Sequence, residues 1–178
     1  HEGAGRAIEA QAFRDLARHG LKLRPEPWPP YNLLTRARCH HNLLNTRLDE
    51  VLAPATRTSC VGLINGSPLH MGVLSRHGPP PWHPAPPEVL QAGTMASEWC
   101  EARGLDLAEV ALRAAIAHPA IHSTLVGVRT VEEVEATLRA LGPDPCPDLT
   151  TELRTLLAPV KDLEWPSGLP ENDPAAVS

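Results

Sequence analysis

Residues 61–84, VGLINGSPLHMGVLSRHGPPPWHP, set the tightest limit on what this chain can fold into. Cys60–Asn65 is a near-continuous apolar run, too short for a typical helix and suited to a strand covered on both faces. It breaks at Gly66-Ser67-Pro68-Leu69, and Gly72 follows five residues after the serine. Two glycines around a Ser-Pro turn let the main chain lie close to a neighbour. His77–Pro87 is then stiffened by proline and cannot be helical before Glu88. The segment therefore reads as a strand that opens into a loop with accessible backbone.

The remaining periodicities place this unit in an alternating α/β chain. Residues 4–19 carry apolar residues at helical spacing and stop at Gly20, whereas Leu21–Pro30 holds four prolines and cannot be a central strand. Residues 43–53 predict a short amphipathic helix. Glu88–Arg103 predicts a helix closed by Gly104, and Leu107–Ala117 one that is apolar nearly all round and hence buried. Ser123–Val128 predicts a second buried strand. Thr130 caps a helix from Val131 to Leu141, with Glu132 and Glu133 in its first turn, and a last helix runs from Leu149 to Leu157. Strands alternating with helices predict parallel βα units, three or four of them, too few to close an eight-stranded barrel.

Composition excludes several classes. The net charge is −5 and the basic residues are scattered arginines, with lysine only at 22 and 161, so nucleic acid is not an expected partner. No apolar run is long enough to span a membrane. Cys39, Cys60, Cys100 and Cys146 are widely spaced without a CxxC pair, which predicts free buried thiols and a cytoplasmic location. The chain starts at His1 with no signal-peptide pattern, and is read as a fragment.

Arg38-Cys39-His40-His41, the stretches Gly62–Leu74 and Gly78–Pro84, LVGVRTVEEVE and the unusual LAPVKDLEWPSG together resemble the aldo-keto reductases. The likeness is closest to the branch of L-galactose and aldose 1-dehydrogenases and covers residues 38–172. It implies a partial (β/α)8 TIM barrel, the C-terminal half, of an NAD(P)-dependent oxidoreductase that oxidises an aldose at its anomeric carbon. The expected organisation is a degenerate or truncated barrel segment at 1–37, the oxidoreductase half-barrel at 38–165 and a loose tail at 166–178.

The resemblance implies that Ser67 and nearby amides meet the pyrophosphate of a nicotinamide cofactor, with Gly66 and Gly72 allowing close approach and Leu69 and Leu74 as apolar contacts. The alternative is a strand-end turn in which Ser67 is only a cap. Gly127, Val128, Arg129, Thr130 and Glu133 fall where the family holds the phosphate on the adenosine ribose, and a helix N-terminus beside an arginine suits an anion. The alternative is an ordinary Thr130 cap beside a solvated Arg129. The family's Glu-Asn against adenine is replaced here by Ala136-Thr137.

A metal site is not expected. Neighbours in Cys39-His40-His41 point to opposite faces, and His70, His77 and His83 lack ligand spacing. The resemblance implies that Cys39 and His40 line the barrel wall, as the family's Cys-His does. No G-x-S-x-G elbow supports a nucleophilic serine. The family's catalysis uses a tyrosine tuned by a lysine, with Asp and His. Here Tyr31 stands in WPPYNLL, and Lys22 and Lys161 match no such position, so no catalytic residue is expected in this chain. The alternative function is an inactive half-barrel with at most residual cofactor binding.

Overall fold

The computed structural model describes residues 36–50, 52–59, 62–143, 147–163 and 165. The expectations for residues 4–35, for Cys60 and Cys146, and for the tail from Pro166 lie outside the described residues. Three short strands, β1 (Arg36–Cys39), β2 (Gly62–Asn65) and β3 (Ser123–Thr124), form a parallel sheet in the order β1-β2-β3. Arg36 pairs with Gly62 and Cys39 with Asn65; Ile64 pairs with Ser123 and Asn65 with Thr124. Parallel neighbours need crossovers, and helices supply them: α1 (Leu52–Ser59) between β1 and β2, then α2 (Pro87–Glu101) and α3 (Leu107–Ile116) between β2 and β3. Helices α4 (Val131–Ala140) and α5 (Pro147–Leu157) follow β3.

The helices begin and end where their chemistry says. Asp106 caps α3 by accepting from Ala108 N at 2.8 Å, and Thr130 caps α4 by accepting from Glu133 N at 3.2 Å. Pro87 opens α2 at a position needing no N–H donor, and Gly104, at φ +69°, follows its end. Six side chains of α3 are buried, as its all-round apolarity predicts.

The main core lies between α2, α3, α5 and the loops after β1 and β2. It joins Leu43, Leu44, Val73, Leu74, Val89, Ala96, Leu107, Ala111, Leu153 and Leu157. A smaller cluster of Cys39, Leu48, Ala53, Leu63 and Ala120 sits under β1 and β2. Cys39 and Cys100 are free and buried, and burial pushes both thiols up to about 11, so neither is a ready nucleophile.

Four expectations need correction. Residues 43–53 are not one helix. Asn42 Oδ1 accepts from Leu44 N at 2.9 Å and Asn45 N at 3.0 Å, closing a turn; a 3-10 turn follows at Arg47–Asp49, and the helix starts only at Leu52. β2 alternates half-buried and buried residues rather than being covered on both faces. The strand expected at Ser123–Val128 pairs only through Thr124; Leu125 and Val128 are exposed, since β2 alone flanks β3 among the described residues. His40 is exposed while Cys39 is buried, so only the cysteine faces inward.

Candidate functional site

The loop after β2 is held by two buried asparagines. Asn65 Oδ1 accepts from His41 N at 2.9 Å, and its Nδ2 donates to His41 O at 2.8 Å. Asn42 Nδ2 donates to Ser67 O at 2.8 Å and approaches His70 Nδ1 at 3.1 Å. Gly66 N donates to Cys39 O at 2.9 Å. The strand-end loops of β1 and β2 are thus one hydrogen-bonded unit. Ser67 is half-buried, and its hydroxyl has no partner among the described residues.

Beyond Ser67 the chain turns tightly. His70, Met71 and Gly72 have φ of 50°, 52° and 98°. Left-handed backbone at two consecutive non-glycine residues is strained. A side chain at Gly72 would be strained by its φ of 98° and crowded, with a Cβ 3.1 Å from Gly78 O. Leu69 is half-buried beside the turn, but Leu74 is fully buried in the main core. Leu74 therefore has no face for a cofactor, and only Leu69 can serve as the apolar contact on this side.

The tail motif explains the turn's support. Asp162, at φ 61°, accepts from Thr46 N at 2.6 Å and from the Thr46 hydroxyl at 2.9 Å, while its own N–H donates to Leu44 O at 2.8 Å. Burial acts to raise the Asp162 carboxyl; the bonds from Thr46 and Lys161 outweigh it and hold the group below its ordinary value. Lys161 Nζ lies 2.9 Å from Asp162 and 3.0 Å from the Thr46 hydroxyl, a structural engagement. Three residues on, Trp165 packs edge-on against His70 at 5.1 Å and against His83 at 5.8 Å. His83 Nδ1 accepts from Ala85 N at 3.1 Å. Nε2 of both histidines is buried without a partner among the described residues, and burial, then the facing His83, holds His70 down at about 4. Sequence reasoning missed this histidine–tryptophan cluster because its members lie far apart in the chain.

The second candidate segment follows β3. Leu125 N donates to Asn65 O at 2.8 Å, so residues 66–74 and 127–133 leave the same, carboxyl, end of adjacent parallel strands. Sites of α/β barrels form at that end. Gly127 has open space around it, and Val128 is 43% exposed. Thr130 is the N-cap, and Arg129 has 84% of its side chain exposed. Glu133 already occupies this turn: Arg129 N donates to Oε2 at 2.6 Å, and the guanidinium Nη2 lies 3.4 Å from Oε1. Bonding from the Arg129 N–H holds the Glu133 carboxyl below its ordinary value. The turn binds an anion, and the anion it binds here is its own.

A second histidine cluster lies elsewhere. His41, Asp49 and His118 bring three donor atoms within 4.8 Å of one another, with His118 Nε2 2.6 Å from Asp49. A metal would need the lone pair of that nitrogen. Ala120 N donates to His118 Nδ1 at 3.2 Å, which leaves the proton on Nε2, pointed at Asp49. The His118–Asp49 contact is a hydrogen bond, and these residues do not fit a metal. His41, buried with Nδ1 unpartnered among the described residues, is held down at about 4 by burial and by His118. Two concave regions, of about 280 and 560 Å³, lie beside α2 and among α3, α4 and α5; neither is lined by the candidate cofactor residues.

Three parallel strands in chain order, joined by helices, define the chain as an α/β protein built of βα units. The Aldo/keto reductase family model matches residues 37–145, and the chain belongs to that family. It is 38% identical over 140 residues to L-galactose dehydrogenase of Arabidopsis thaliana, across 75% of this chain and 43% of that protein. The chain thus spans less than half the length of that relative. The family's fold is a (β/α)8 barrel, and the described residues form three parallel strands. Among them, no helix is long and apolar enough to cross a membrane.

Proposed function

We propose that this chain is the cofactor-holding C-terminal half of an NAD(P)-dependent aldo-keto oxidoreductase barrel, acting in its family on the anomeric carbon of an aldose. One observation carries the reading: the Ser67 loop and the Arg129–Glu133 turn leave the same end of neighbouring parallel strands. The residues fit the cofactor's two ends. The Ser67 hydroxyl, without a partner among the described residues and with Gly66 exposed beside it, suits phosphate oxygens; half-buried Leu69 offers an apolar contact on the same side; and Gly127, Val128, Arg129 and Thr130 suit the adenosine side. The nicotinamide, when bound, supplies hydride transfer. This chain's own residues bind and orient, with Asn42 donating to Ser67 O and Asn65 Oδ1 facing Ser67 N.

A second observation restricts turnover. Tyr31, in WPPYNLL, and Lys22 and Lys161 match no catalytic position of the family, and Lys161 is engaged by Asp162 and Thr46. The proposal is therefore cofactor binding without oxidation of an aldose by this polypeptide alone. The test is titration of tryptophan fluorescence and calorimetry with NAD⁺ and NADP⁺, alongside an assay with L-galactose. Saturable binding, weakened by Ser67→Asp and by Arg129→Ala, is expected, with no NADH or NADPH formed. No binding of either cofactor overturns the cofactor reading; steady turnover overturns the restriction.

A further inference from the structure

We propose that His70 is an acid-opened latch on the loop after β2: a second proton on its ring frees the Ser67 turn while the helices stay folded. The bonding around Asn42 fixes where the protons lie. Asn42 Oδ1 accepts from Leu44 N at 2.9 Å and from Asn45 N at 3.0 Å, so the amide cannot be reversed. Its Nδ2 carries two hydrogens. One goes to Ser67 O at 2.8 Å and the other to His70 Nδ1 at 3.1 Å. His70 Nδ1 is therefore an acceptor, and the single proton of the neutral ring sits on Nε2. His83 repeats the arrangement, its Nδ1 accepting from Ala85 N at 3.1 Å. Both Nε2 atoms are buried without a partner among the described residues. The two rings lie 6.4 Å apart, with Trp165 packed against each.

A second proton on His70 has one place to go. It lands on Nδ1 and meets the Asn42 N–H, donor against donor, so the ring must leave Asn42. The Ser67 carbonyl accepts from Asn42 Nδ2 and also from His70 N, at 3.2 Å, so it is held between the amide and the residue that moves. His70 and Met71, at φ of 50° and 52°, are strained while the turn is closed, and opening relaxes them.

The surroundings oppose that proton in the closed form. Burial acts first, followed by His83 from the proline-rich loop and His40 after β1; no carboxylate among the described residues offsets them. The ring is held at about 4, below its ordinary 6.5, and opening to water returns it towards the ordinary value. The closed turn is therefore fully favoured above about 6.5 and loses ground as pH falls towards 4.

The experiment is amide exchange of the whole chain, without cofactor, at about pH 7.5 and about pH 5, corrected for intrinsic rates, with circular dichroism alongside. The N–H groups of His70, Gly72, Val73 and Leu74 are hydrogen-bonded within the loop, so their protection reads the latch. At the lower pH their protection should fall by more than about tenfold relative to the amides of α2 and α3, with the helical spectrum retained. His70→Gln, whose side-chain oxygen can accept from Asn42 but does not titrate, should abolish this relative loss. Four amides that keep step with α2 and α3 at both pH values overturn the proposal, as does a relative loss that survives His70→Gln. Should the variant fail to fold, imidazole NMR of the unaltered chain decides. Proton uptake by His70 should coincide with the loss of protection, and a protonated His70 beneath an intact turn overturns the latch. Where the cofactor reading holds, opening also loosens the loop proposed for phosphate. Because no cofactor is present in the exchange experiment, failure of the latch and failure of that reading are told apart.

Discussion

Asn65 grips His41 through both main-chain groups, accepting its N–H at 2.9 Å and donating to its carbonyl at 2.8 Å. One side chain at the end of β2 thereby completes the main-chain bonding just past the end of β1. Because Asn65 Oδ1 also lies 3.4 Å from Ser67 N, the grip sets where the candidate phosphate loop begins.

Replacing Asn65 by leucine keeps the volume and removes both bonds. Asn65 is fully buried, so the His41 N–H and C=O would be left without partners. We expect a loss of about 3 kcal/mol, read as a shift of the urea midpoint. Loss of under about 0.5 kcal/mol, the range of ordinary surface changes, would contradict this account.

Acid should weaken the fold through His41 and His70. Burial holds both at about 4, below the ordinary 6.5. A depressed folded-state value means the unfolded chain takes up the proton first. Stability from this source is complete above about 6.5, falls as pH drops towards 4, and levels off below. Each histidine contributes up to about 3 kcal/mol across that window. Urea melts at a series of pH values should show this slope, and His41→Gln with His70→Gln should flatten it.

Gly93 sits inside α2, where alanine would ordinarily gain up to about 1 kcal/mol. Here an added Cβ would lie 2.6 Å from Val73 Cγ1 and 2.7 Å from Val73 O. The second contact is to main chain and cannot swing away. Overpacking of this kind costs about 1–3 kcal/mol, so Gly93→Ala should lower the melting temperature despite its better helix propensity. A raised melting temperature would show that the loop at Val73 yields.

Glu133 accepts from the Arg129 N–H and faces its guanidinium, where a phosphate would have to displace it. On the proposed cofactor reading, Glu133→Gln should tighten NADP⁺ binding by roughly tenfold, the scale of one charge-assisted contact, and leave NAD⁺ nearly unchanged. Calorimetric titration of both cofactors reads the ratio. Equal effects on the two would place Glu133 away from the 2′-phosphate.

The local code of this chain was legible where neighbours in sequence are neighbours in space. The Thr130 cap with its acidic first turn, the Asp106-capped buried helix, and the break from strand to loop at Gly66 all follow from side chains bonding within a few residues. The family pattern was legible for the same reason, being written in contiguous motifs. Local reading failed at residues 43–53, where the Asn42 side chain closes a turn that an apolar period does not register.

Tertiary structure alone decided which candidates have a face to offer. Leu69 and Leu74 look equivalent in sequence, yet Leu74 is sealed in the core by residues of α2 and α5. Trp165 reaches His70 and His83 three residues after Asp162, whose bonds to Thr46 tie the tail to the loop after β1. Glu133 reads as dipole compensation, and only its bond to Arg129 N reveals a self-occupied anion turn. The physical reason is common to all three: hydrophobic periodicity and capping act along the chain, whereas burial and long-range hydrogen bonds depend on which segments the fold brings together.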